Sequence, residues 1–156
     1  MKPNIGIPEL HLSGASQVLN TLLADEFTLY AKTRNYHWNV TGHGFYELHK
    51  FFEAQYEEID EMVDSVAERV RKIGHYSLGS LNAFIKATRL TEGQDETSAS
   101  KMIQNLLDDH ETIIRVLRND INTVTDTYRD AGTADFLTGV LETHEKMAWM
   151  LRAHLG

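Results

Sequence analysis

His49 and Glu53 stand four residues apart, as do Asp64 and Glu68, and His37 lies ahead of them beside Trp38. If the chain is helical here, each four-residue spacing places its pair on one face. Imidazole nitrogens with carboxylate oxygens suit Fe(II), Mn(II) or Zn(II). No hydrolase signature accompanies them. The chain has no cysteine, which excludes disulfides, thiolate metal sites and cysteine nucleophiles. A blander reading competes: acids crowd solvated helix faces, and His37 suits a half-buried structural role equally well.

The elements that must carry these residues read as four long helices. Both prolines, Pro3 and Pro8, fall in the first ten residues, so the strongest helix breaker is absent thereafter. Ser13 is a candidate cap for a first helix running to about Val40, with Val18, Leu19, Leu22, Leu23, Leu29 and Tyr30 at helical spacing. Thr41-Gly42-His43-Gly44 reads as a turn. Phe45, Leu48, Phe52, Ile59, Met62, Val66, Val70 and Ile73 then form one long apolar stripe, ended by Gly74. Leu81, Phe84 and Ile85 mark a short connecting helix. Thr97 or Ser98 caps a third long helix that fades near Tyr128, and Thr133 is the expected cap of the fourth. No strand alternation appears. The fold expected is all-α, a four-helix bundle with a short extra helix in the crossover between the second and third helices, forming one domain over residues 1–156 in which 1–12 are a short N-terminal segment.

Reach constrains the chemistry. His49 and Asp64 are 15 residues apart, roughly 22 Å along a helix at 1.5 Å per residue. Ligands converge within about 2 Å of an ion, so one straight helix cannot bring both pairs to one metal. Three possibilities follow: two incomplete sites, no site, or an antiparallel pairing of this helix with its copy, which a two-fold axis near Tyr56 to Ile59 would provide. The bundle solution of Glu-x-x-His on two helices is absent, because no glutamate is followed three residues later by histidine.

A net charge of −8, from 15 basic and 23 acidic residues, argues against broad nucleic-acid binding and suits a protein that attracts cations. MKPNIGIPELHL lacks the charged start and apolar run of a signal peptide. No window approaches a membrane span, so a cytoplasmic location is expected.

The pattern H-x11-H-x3-E-x10-D-x3-E, set in HWNVTGHGFYELHKFFE and DSVAER with GHYSLGS following, resembles the Dps proteins (DNA-binding proteins from starved cells, or mini-ferritins). The likeness extends through TADFLT to the closing AWMLRAHLG. It implies that the bundle is ferritin-like and builds a homo-oligomeric shell of twelve subunits with ferroxidase centres at two-fold interfaces. His37, His49 and Glu53 would come from one chain, and Asp64 and Glu68 from its partner. Such a protein binds Fe(II), oxidises it with hydrogen peroxide in preference to dioxygen, and stores ferric iron in its cavity. Other divalent metals such as Zn2+ are able to occupy the centre. Trp38 is a candidate trap for stray one-electron oxidation.

Two departures stand out. The family usually carries aspartate where this chain has Glu53. Its DNA-binding members often rely on a lysine-rich tail, whereas the first twelve residues here hold one lysine, Lys2, balanced by Glu9. DNA binding is therefore expected to be weak or absent; a nucleoid-protecting Dps is the alternative function. Asp126, Asp130 and Asp135 are candidate residues of an acidic iron-entry pore, and Glu57, Asp60 and Glu61 candidate mineral-nucleating acids. His43 and His75 flank turns, where a polar loop role is the competing reading.

Overall fold

The computed structural model describes residues 3–156. Five α-helices follow in chain order: α1 (Glu9–Asn39), α2 (Phe45–Lys72), α3 (Leu81–Ala87), α4 (Ala99–Asn122) and α5 (Ala131–Leu155). A π-helical turn, Thr123–Tyr128, extends α4. No strand occurs among the described residues, and no helix among them is long and apolar enough to cross a membrane. The four long helices bury one continuous apolar core in which Leu19, Leu22, Phe52, Ile59, Leu106, Ile113, Leu137 and Leu151 are inaccessible. The expected bundle, with its short helix in the crossover, is the observed architecture.

Two caps differ from the sequence reading. α1 begins one turn earlier than Ser13, and the Pro8 carbonyl accepts from the amides of His11 (2.9 Å) and Leu12 (3.1 Å). Leu12 and Ala15 are buried, so core packing extends the helix through Ser13 and Gly14. Gly14 serves a close approach: a Cβ there would lie 2.2 Å from the Tyr128 ring. α5 is capped by Asp130, whose side chain accepts from the Thr133 amide at 3.0 Å, and Thr133 itself is the third helical residue. An aspartate at this position is as good a cap as threonine. By contrast, Ser98 caps α4 as expected, its hydroxyl facing the Lys101 amide.

The crossover between α2 and α4 is fastened by Asp25, fully buried on α1. Its carboxylate accepts from the Arg89 amide (2.6 Å), the Arg89 Nε (2.8 Å) and the Thr88 hydroxyl (3.0 Å). Arg89 continues to Asp120 on α4 at 2.8 Å. Burial pushes the Asp25 carboxyl above its ordinary value, against the pull of Arg89.

Candidate metal centre

The turn between α1 and α2 sets the first half of the site. Gly42 and Gly44 take φ of 94° and 76°, left-handed values open to glycine, and reverse the chain within five residues. The reversal lays the end of α1 against the start of α2. His37 and His49 then stack face to face, with ring centroids 3.8 Å apart and planes inclined by 23°. Each Nδ1 meets the other residue's main-chain carbonyl, His37 at 2.8 Å and His49 at 2.9 Å. A carbonyl only accepts, so both Nδ1 atoms carry the proton and Nε2 of each ring remains the free nitrogen. This is how a protein fixes ring orientation and presents imidazole to a metal.

Glu53 lies one turn beyond His49 on α2, half-buried, with Oε2 at 2.5 Å from the Lys50 ammonium. That hydrogen bond holds its carboxyl below the usual range. Asp64 and Glu68 are exposed on the same helix, and Glu68 pairs with Lys72 at 3.0 Å. α2 is continuous from Phe45 to Lys72, so the distance of about 22 Å between the two groups stands. His37 and His49 are brought into contact, with Glu53 one turn further along α2; Asp64 and Glu68 are not brought to them within one chain. No group of three or more metal-ligating side chains is assembled among the described residues.

Residues the sequence reading passed over surround the histidines. The edge of Tyr56 meets the His37 ring at 5.1 Å. The Arg34 guanidinium lies 4.8 Å from the Tyr56 ring centre, 5.5 Å from Trp38 and 5.6 Å from Tyr30, and donates to the Tyr30 hydroxyl. Helical spacing carried the signal: Arg34 precedes His37 by three residues and Tyr56 follows His49 by seven. Trp38 itself is 64% exposed.

The candidate pore acids divide. Asp126 and Asp135 are exposed. Asp130 is 2% exposed and committed to capping α5 and to Arg69 at 3.4 Å, so its carboxylate faces the protein. Glu57, Asp60 and Glu61 are exposed along α2. His43 is exposed, and His75 lies 3.6 Å from Glu9. His110 and His144, which carried no expectation, are fully buried with Glu26 in the bundle interior.

The chain matches the ferritin family (Ferritin-like domain) over residues 16–156. It is 44% identical over 153 residues to a low temperature-induced protein of Nostoc sp., covering 97% of this chain and 86% of that one. A DNA protection during starvation protein of Brevibacillus brevis is 35% identical over 138 residues, 88% of this chain and 92% of that one. Among solved structures, the Dps protein of Vibrio cholerae O1 superposes with a TM-score of 0.93 at 29% identity, covering 99% of this chain and 97% of that one. That protein is described as a member of a broad superfamily of ferritin-like diiron-carboxylate proteins. The chain belongs to the Dps family.

Proposed function

We propose that this protein is a ferroxidase cage. His37, His49 and Glu53 of one subunit and Asp64 and Glu68 of its two-fold neighbour bind Fe(II) and direct its oxidation. The observation that carries the reading is the reciprocal fastening of the two histidines, which leaves both Nε2 atoms free beside an ionised Glu53. An antiparallel pairing of α2 with its copy supplies the missing carboxylates, and symmetry makes the site twice. Iron is the substrate. Two Fe(II) each give one electron to hydrogen peroxide, whose O–O bond breaks, and with two protons it leaves as two waters. Holding both reductants at one site makes the oxidant's two-electron reduction local, so no hydroxyl radical escapes. The product enters the cavity of a dodecameric shell as ferric mineral. Trp38, cradled by Arg34, intercepts stray one-electron oxidation, and Zn2+ competes for the same donors. Asp126 and Asp135 remain the pore residues of this reading, and the protein works in the cytoplasm.

Anaerobic titration of the assembled protein with Fe(II), followed by hydrogen peroxide, tests this. Ferric absorbance should develop at about two iron per peroxide within the mixing time. Peroxide that persists while Fe(II) stays reduced contradicts the proposal.

The same charge that attracts Fe(II) repels DNA. At −8 per chain, phosphate neutralisation has little to draw on. No retarded band is expected in a gel-shift assay at about 150 mM salt without divalent metal. A band there would favour the nucleoid-protecting function instead.

A further inference from the structure

Both glutamates of the candidate centre are already occupied by a cation. Glu53 is held by Lys50, one turn before it on α2, at 2.5 Å. Glu68 is held by Lys72, one turn after it on the same helix, at 3.0 Å. The pairs lie near opposite ends of α2, which the reading above brings together across the two-fold axis. One centre therefore receives an ammonium from each subunit.

We propose that Lys50 and Lys72 are resident counter-cations which compete with an incoming divalent ion for these carboxylates, so that they set the threshold for metal loading. This rests on the ligand assignment made above. A carboxylate oxygen that accepts from an ammonium offers that lone pair to a metal only after the ammonium leaves. Both lysines are largely exposed, 52% for Lys50 and 62% for Lys72, so their heads have water to move into and exchange is fast. Each exposed pair is weak, so the ammonium yields readily to an ion that the carboxylate holds more tightly. Adventitious cations that bind weakly are excluded, and ions that gain imidazole coordination as well displace the lysine. Lys50 and Lys72 are positioning residues in this account; they touch the carboxylates and not the iron.

The test is anaerobic calorimetric titration of the assembled protein with Co2+, in the absence of any oxidant. Lys50→Met and Lys72→Met should each tighten Co2+ binding about two- to fivefold, the range expected for an exposed ion pair. The double variant should gain more than either alone, and Lys50→Arg should stay close to the parent. Lys146→Met is the control: Lys146 pairs at 3.1 Å with Glu58, which is not among the candidate ligands, and its loss changes the net charge equally. Unchanged affinity in Lys146→Met with gains in the other two supports the proposal. Equal gains in all three reduce the effect to net charge and overturn it, as does unchanged or weaker binding in Lys50→Met and Lys72→Met. Should His37→Ala/His49→Ala bind Co2+ like the parent, the ligand assignment itself fails, which separates the two claims.

Discussion

Replacing His37 and His49 together with alanine lowers the rate of Fe(II) oxidation by peroxide by about 100-fold or more while leaving a particle of native size. The magnitude follows from what the side chains supply. Even outer partners that merely orient metal ligands are worth about 10- to 100-fold, and this variant removes both nitrogen donors. The structural cost is small by comparison. His37 is buried but His49 is only partly so. Their side-chain bonds go to each other's carbonyls, which helical bonding or solvent can satisfy. Alanine is preferred to glycine because glycine adds about 1 kcal/mol of helix destabilisation at each position. Stopped-flow absorbance with size-exclusion chromatography reads both quantities. A variant that oxidises iron at the parent rate removes these histidines from the chemistry.

A second large effect is expected far from that site. His144 on α5 places Nε2 at 2.7 Å from Glu26 Oε1 on α1, and Nδ1 at 2.8 Å from His110 Nδ1 on α4. All three side chains are inaccessible, and Glu26 Oε2 and His110 Nε2 find no partner among the described residues. Removing His144 alone therefore strands a buried carboxyl group without a partner. His144→Ala should cost about 3–5 kcal/mol, the range for breaking a buried pair from one side. Calorimetry of the assembled particle should show a melting temperature roughly 10 °C lower. The apolar double replacement Glu26→Leu/His144→Phe should recover most of that loss, because it removes the need for a partner. A His144→Ala particle as stable as the parent would show that the three side chains are not coupled.

The same cluster predicts acid sensitivity. Burial holds His110 neutral, well below the ordinary imidazole value of 6.5, and His144 beside it adds to the effect. Below that value the unfolded chain binds a proton at His110 that the folded chain refuses, so stability falls with pH. It is fully present above about 6.5 and declines at up to about 1.4 kcal/mol per pH unit beneath it, per chain. His110→Leu should flatten that decline in melts recorded between pH 7 and 5.

The stripe of α2 was legible from sequence because one buried face at a helical period leaves a repeating mark: Leu48, Phe52, Ile59, Met62, Val66 and Val70 are all buried. The placement of His49, Glu53, Asp64 and Glu68 along α2 was legible for the same reason, since spacing along a rigid helix translates directly into distance. What local spacing does not encode is contact between distant segments. Ser13-Gly14 looked like a helix start, but the ring of Tyr128, more than a hundred residues on, claims the space above Gly14. Thr133 and Asp130 are both competent caps; Asp130 takes the place by accepting from the Thr133 amide, and Arg69 on α2 donates to both side chains, a contact no local spacing shows. Glu26, His110 and His144 gave no signal at all: they lie on three helices and meet only when the bundle closes. The histidine pair lies between these cases. Its members are named by the motif, but the reciprocal carbonyl bonds that aim Nε2 depend on the tight turn at Gly42 and Gly44.

Mixing two inactive chains measures the division of labour between subunits most directly. One chain carries His37→Ala/His49→Ala and the other Asp64→Ala/Glu68→Ala; they are unfolded together in equal amounts and reassembled. If each centre takes its imidazoles from one subunit and its distal carboxylates from the neighbour, half of the pairs are mixed and each mixed pair regains one intact centre. The mixture then recovers about one quarter of the parent's peroxide-driven Fe(II) oxidation. A mixture as inactive as its two components, in particles that native mass spectrometry shows to contain both chains, contradicts a centre shared between subunits.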